Sequence, residues 1–331
     1  MLSVNCRSAF FNKNEDSHEN FMNKSAIHGT MNGCNVRKGE LIDMVKTFLQ
    51  LNTIFISILI EALPFVVLGV FISGIIQMFV TEEMVRKWLP KNKGLAVICA
   101  TLIGALFPAC ECGIVPITRR LVAKGVPLYA AIPFMLTGPV INPVVLFSTY
   151  IAFGSSWTMV LYRSIFACIV AVIIGFVISV QYKDSQLRKE ETVHPVLPKS
   201  WKEKWAGTLQ HTIDEFFTTG KYLIIGAFFA SVMQTYVKTS TLLAVGQGKV
   251  SSIVVMMALA FVLSLCSEAD AFIASSFQNM FPFGALAAFL VYGPMLDIKN
   301  TLMLLQSFKT RFVLMLIMYI TIFVFIGSLF I

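Results

Sequence analysis

"LTGPVINP", Leu136–Pro143, is answered by "VYGPMLDI", Val291–Ile298, with Gly138, Pro139 and Asn142 recurring as Gly293, Pro294 and Asp297 at a spacing of 155 residues. Both stretches interrupt apolar runs. Proline removes a backbone donor and clashes with the preceding turn, so an apolar helix carrying Gly-Pro leaves carbonyls that need another partner. At membrane depth such backbone is tolerated only where protein or a water-filled cavity receives it. A break in both halves of a chain points to a binding site near the middle of the bilayer. Asn142 and Asp297, each three residues past the proline, are placed to bond the freed backbone or a solute.

The composition around these breaks is that of a membrane protein. Only 13% of the 331 residues are charged and 56% are hydrophobic, with a mean hydropathy of +0.76. Apolar runs recur at lengths near the ~20 residues that cross a ~30 Å hydrocarbon core. They lie at about 48–80, 94–108, 127–154, 157–180, 208–237, 250–265, 283–295 and 312–331. The net charge of +8 falls mostly between them, where positive-inside bias and anionic headgroups account for it, so nucleic acid is not an expected partner. The expected class is an all-α polytopic membrane protein of about eight transmembrane helices, with lipid around it and a small molecule or ion as cargo.

Further pairs extend the correspondence. Gly69 and Gly226, Gln77 and Gln234, and Glu111 and Glu268 are each 157 positions apart. Six matches in order read as two internal repeats with Gly-Pro-broken helices. The expected organisation is a disordered polar extension over 1–43, a first membrane repeat over 44–180, a charged cytoplasmic linker over 181–207 and a second repeat over 208–331. The extension leaves the start open, since Met22, Met31 or Met44 could each begin a chain leading into the first membrane helix. Eight crossings would make the repeats parallel. In that arrangement Arg119 and Arg120 fall inside and Arg163 and Lys299 outside, with a weak positive-inside bias. Should the stretches at Cys110 and Cys266 be re-entrant, the repeats become inverted. Both topologies are compatible with the sequence.

Polar residues at the ends of apolar runs are the candidate machinery. Glu111, Glu268 and Asp270 end such runs, and carboxylates at membrane depth are costly and usually functional, which suits proton coupling. Glu61, on the first helix, is a further candidate. Cys110, Cys112 and Cys266 offer soft ligands to a thiophilic solute, although buried cysteines also serve as small packing residues. The seven cysteines do not have the spacing of a disulfide framework. Cys110 and Cys112 are one residue apart rather than two, which is unlike a thioredoxin-type centre. Arg119 and Arg120 fit a cytoplasmic interface. His211 begins an amphipathic segment, and His18, His28 and His194 lie in polar ones. No Gly-rich phosphate loop is present, and neither a cofactor nor a resident metal is expected.

"FPACECGIVPITRRLVAKGVPLYAA" (Phe107–Ala131), followed by "LTGPVINPVVLFSTY" and "LSLCSEADAFIASSF", resembles the predicted permease family of the YraQ/YcgR type, which is related to the ArsP-type organoarsenical efflux permeases. The resemblance covers roughly residues 44–331. It implies a multi-spanning permease of the cytoplasmic membrane and names a trivalent organoarsenical as the leading substrate. Cys110, Cys112, Cys266, Gly138, Pro139, Asn142, Gly293, Pro294 and Asp297 would then line the path, with Glu111, Glu268 and Asp270 moving protons. Two other classes stay open: a non-transporting subunit that works with a membrane partner or a second copy, and a membrane thiol redox enzyme.

Overall fold

The computed structural model describes residues 21–182, 184–188, 201–236 and 248–331. It divides into residues 1–53 and 54–331, and the architecture below is that of the second unit. The N-terminal extension through residue 20 and residues 183 and 189–200 of the linker lie outside the described residues. Helix α1 (Phe21–Phe79) begins inside the segment read from sequence as a disordered tail. No proline precedes Pro64, so nothing stops a helix from propagating back from the apolar stretch.

The described residues are helical, with one isolated bridge between Leu187 and Phe308. After α1 come α2 (Glu82–Trp88), α3 (Lys93–Leu106), α4 (Glu111–Ala123), α5 (Leu128–Ile141), α6 (Pro143–Ala152) and α7 (Trp157–Gln181). The second half contains α8 (Trp201–Tyr236), α9 (Lys249–Leu263), α10 (Ser267–Ser276), α11 (Phe283–Met295), α12 (Ile298–Ser307) and α13 (Thr310–Leu329). Apart from α2, which has no counterpart among the described residues of the second half, the order long, short, short, broken pair, long is the same in both. The all-α, polytopic reading stands.

Five segments are long and apolar enough to cross a membrane: Met44–Phe79, Leu128–Ala152, Trp157–Gln181, Trp201–Tyr236 and Thr310–Leu329. Helices α3 and α9 have only 14 and 15 residues, about 21 Å at 1.5 Å per residue. Each turns back instead of crossing. Lys93, at the start of α3, donates to Ser179 O near the end of α7, and Lys124, just past α4, donates to Gln77 O near the end of α1. Entry and exit therefore share a face. On the opposite face, Lys249 at the start of α9 donates to Leu329 O at the end of α13, and Gly284, at the start of α11, lies against Ser328.

The two halves run in opposite directions. Tyr182 at the end of α7 meets Phe312 at the start of α13 with ring centroids 5.2 Å apart, while Tyr162 near the start of α7 meets Phe283 at the start of α11 at 4.9 Å. Farther along, Phe166 of α7 packs on Gly327, near the end of α13. Arg188, after α7, donates its main-chain N–H to Ser307 O, the end of α12. One face thus holds the ends of α1, α7 and α12 and the start of α8, whose Trp201 packs on Phe79. The parallel alternative does not survive these contacts.

Proline sets the central elements. Pro127 and Pro282 occupy the N-cap positions of α5 and α11 with nearly the same backbone angles, φ −62° and −63°. Both helices are apolar on every side, so they are buried almost entirely and pack against each other. The Gly-Pro pairs do not themselves break the chain. Pro139 and Pro294 sit in the last turns of α5 and α11, and the break falls at Asn142 and Asp297. A proline in the final turn leaves carbonyls that a following residue's side chain must satisfy. Elsewhere α1 crosses α4 at Gly69 and Gly113, where a Cβ on Gly69 would stand 2.5 Å from Gly113 Cα.

Candidate functional site

Asn142 and Asp297 do the same local work in the two halves. Asn142 Oδ1 accepts from Val145 N at 2.9 Å, and Asp297 Oδ1 accepts from Asn300 N at 2.6 Å, so each caps the helix that follows its break. Asn142 Nδ2 also donates to Gly138 O at 3.3 Å and Ala109 O at 3.5 Å. It thereby takes up a carbonyl freed at the break and ties α6 to the turn before α4.

Cys110 is the N-cap of α4 and Cys266 the N-cap of α10, where its Sγ accepts from Ala269 N at 3.5 Å. Glu111 opens α4, and Glu268 and Asp270 lie in the first turn of α10. Acids are favoured there by the positive end of the helix macrodipole. The two helix starts meet: Ser267 Oγ, at the first position of α10, donates to Glu111 Oε2 at 3.2 Å. The start of α12 joins them. Lys299 Nζ lies 3.7 Å from Glu111 Oε1 and 3.6 Å from Asp297 Oδ2, and all three side chains are buried. Glu111 of the first half is therefore held by a hydroxyl and an ammonium of the second.

Beside this contact is a cavity of about 10 Å³, the room of a single water. It is lined by Cys110, Glu111, Cys112, Cys266 and Lys299, together with Ile58, Glu61, Ala62 and Phe65 of α1. Glu61 and Phe65 are exposed and form its mouth, beside the exposed apolar Leu63 and Leu68. The three sulfurs share the cavity without forming one coordination sphere. Among the described residues no three His, Cys, Asp or Glu side chains gather as a metal ion would require.

Of the candidates read from sequence, Cys110, Glu111, Cys112, Cys266 and Glu61 line this cavity, and Asp297 reaches it through Lys299. Gly138 instead packs on Ile114, where a Cβ would come within 3.1 Å of its Cδ1, and Pro139 is buried with it. Gly293 and Pro294 are buried on α11, with Gly293 against Asp270. Glu268 is half-buried, and neither it nor Asp270 is among the cavity-lining residues.

Two cations that the parallel arrangement places outside are interior. Lys299 is 3% exposed and Arg163 is fully buried on α7, donating to Thr149 Oγ1 at 2.8 Å and Ser267 O at 3.4 Å. Both belong to the interior because each finds carbonyl, hydroxyl or carboxylate partners from other helices. A signal was available for Arg163, a lone arginine inside an apolar 25-residue helix. Lys299 follows a helix break, as a loop lysine would, and gave none.

Arg119 and Arg120 are not simple interface charges either. Arg120 is 5% exposed, and its Nε donates to Glu215 Oε2 at 3.0 Å; Arg119 lies 3.7 Å from Glu215 Oε1. Ser73 Oγ donates to the same carboxylate at 2.7 Å. This joins α4, α8 and α1 on the linker side of the central contact. Glu215 was not singled out from sequence, since it follows His211 and Asp214 in a stretch that reads as an amphipathic polar face.

A family model, ArsP_1, described as a predicted permease, matches residues 47–331. The chain is 64% identical over 285 residues to the UPF0718 protein YcgR of Bacillus subtilis, covering 86% of this chain and 97% of that one. It is 47% identical over 270 residues to a Streptococcus mutans protein named as a putative two-component membrane permease complex subunit, covering 80% and 89%. A UPF0718 protein of Methanocaldococcus jannaschii, MJ0584, is 22% identical over 142 residues, 42% of this chain and 38% of its own. No solved structure matches.

Proposed function

The chain belongs to the ArsP_1 family of predicted permeases, and from that premise we propose a permease that exports a small thiol-reactive solute, such as a trivalent organoarsenical, across the cytoplasmic membrane in exchange for protons. The two oppositely directed halves are read as duplicated units that alternate the access of a site between them. The observation that carries the proposal is the buried contact of Glu111 with Ser267 and Lys299, which joins the halves beside a cavity lined by three thiols.

In this mechanism the solute enters past Glu61 and Phe65 and is held by Cys110, Cys112 and Cys266 as soft ligands. Glu111 supplies the coupling. While ionised it pairs with Lys299 and keeps the halves together; once protonated it releases Lys299 and the halves part. The cavity is small in this state, as expected of an occluded form that must open to admit cargo. Orientation follows from charge. Lys87, Lys91, Lys93, Lys124, Arg188 and Lys204 fall on the linker face, which the positive-inside bias assigns to the cytoplasm.

The test is uptake into everted vesicles, with trivalent methylarsenite compared against soft metal ions and oxyanions. Gradient-driven accumulation that is lost in Cys110→Ser/Cys112→Ser and in Glu111→Gln supports the reading. Accumulation that survives removal of the cysteines but not Glu111→Gln ends the thiol part of it. A second reading rests on the name of the Streptococcus mutans relative: transport then needs a membrane partner, and the purified chain alone moves nothing until that partner is added.

A further inference from the structure

Three buried carboxylates, Glu111, Asp270 and Asp297, face two buried cations, Lys299 and Arg163. Lys299 serves Glu111 and Asp297. Arg163 donates to Thr149 and Ser267 O through its two terminal nitrogens, its Nε is buried without a hydrogen-bond partner, and among the described residues no ion pair joins it to Asp270. Asp270 is 1% exposed, and among the described residues nothing hydrogen-bonds its Oδ2. A buried carboxylate oxygen without a partner costs several kcal/mol if ionised, so such an atom calls for an occupant.

The surroundings say what kind. Asp270 Oδ2 stands 2.9 Å from where a Cβ on Gly293 would be, with Ala260 on another side of the same glycine. Gly293 lies in the last turn of α11, and Ala260 in the last turn of α9. Both helix ends present carbonyls and the negative pole of the macrodipole. One turn past Ala260, Ser264 takes the left-handed conformation (φ 47°) at the end of α9, and its buried Oγ is also without a hydrogen-bond partner. A carboxylate oxygen, a hydroxyl and the carbonyl ends of two interrupted helices are hard oxygen donors, the kind that holds sodium in transporters built on broken helices.

We infer that Asp270 Oδ2, Ser264 Oγ and the carbonyl ends of α9 and α11 form a site for one sodium ion, separate from the thiol cavity. The first half has no counterpart: Phe107 and Gly113 stand where Ser264 and Asp270 stand in the second. One ion per chain is therefore expected. Its role as a coupling ion rests on the transport reading above; its binding does not.

The experiment uses the purified full-length chain in detergent, with melting temperature and radioactive sodium binding measured in sodium, potassium or choline chloride at constant ionic strength. A saturable rise of several degrees with sodium only, and about one ion bound per chain, is expected. Asp270→Asn should abolish both, Ser264→Ala should weaken sodium affinity several-fold while melting normally in potassium, and Cys110→Ser/Cys112→Ser should leave both intact. Stabilisation that follows pH without preference among the three salts overturns the site in favour of a proton, as does a sodium effect unchanged by Ser264→Ala and Asp270→Asn. Sodium binding without any sodium dependence of solute flux leaves the site standing and removes the coupling role.

Discussion

Replacing Lys299 by methionine keeps the length of the side chain and removes its charge, so the loss reports on the contact between the halves. Nζ lies 3.7 Å from Glu111 Oε1 and 3.6 Å from Asp297 Oδ2. At an effective dielectric constant of about 20, each contact amounts to roughly 4–5 kcal/mol of Coulomb energy. Desolvation of the three groups offsets much of that in the native protein, but the variant keeps the offset and loses the attraction. Breaking a buried pair from one side costs about 3–5 kcal/mol. At roughly 2–4 °C per kcal/mol, Lys299→Met should melt about 6–20 °C below the native chain in detergent. Adding Glu111→Gln removes one of the stranded carboxylates and should recover part of the loss, giving a coupling energy in the double-mutant cycle well above the ~0.5 kcal/mol typical of independent sites. A Lys299→Met variant that melts within about 2 °C of native, with an additive cycle, would refute the claim that this contact holds the halves together.

The remaining expectations test separate parts of the argument. In a cysteine-depleted background, Lys204→Cys and Met280→Cys should react with an impermeant maleimide from opposite sides of the membrane; labelling from one side would restore the parallel topology. Glu215→Ala takes away the carboxylate that Arg119, Arg120 and Ser73 share and should cost about 3–5 kcal/mol in thermal or denaturant unfolding. An exposed Glu203→Ala should change it by no more than about 0.5 kcal/mol. Gly69→Val forces a side chain into the 2.5 Å approach to Gly113 and should cost at least the roughly 1–3 kcal/mol of an overpacked core, seen as reduced folded yield; normal yield and melting would mean that α1 and α4 do not cross there. Asn142→Ala removes a helix cap and should lower stability by about 0.5–2 kcal/mol, measured as a shift in melting temperature.

Much of the site was legible because its residue types are rare at membrane depth. Glu111, Cys110, Cys112 and Cys266 stood out against an apolar background, and the structure brings them to one cavity. The glycines and prolines were legible as breaks, but their partners were not. Gly138 and Gly293 mark close packing, against Ile114 and Asp270, and the polar residues that follow them perform the capping. Lys299, Arg163 and Glu215 escaped because burial of a charge depends on which other helix supplies its counter-group. For Glu215 that helix is α4, with Arg120 a separation of 95 residues away.

Sequence alone determined the class of protein: composition dictates a membrane environment, apolar run length dictates helices, and Pro127 and Pro282 mark where the two central ones start. The direction of the second half was left to tertiary structure. An apolar run of 14 or 15 residues can tilt, pair or turn back, and nothing local chooses among these. What chose was the need of Lys93, Lys124 and Lys249 to meet carbonyls on the face they entered by, and of Glu111 to meet Lys299 from the other half. Those contacts turn α3–α4 and α9–α10 back within the membrane; with α11–α12 running from the face of Ser328 to that of Arg188, each half keeps an odd number of passages and one half is inverted relative to the other.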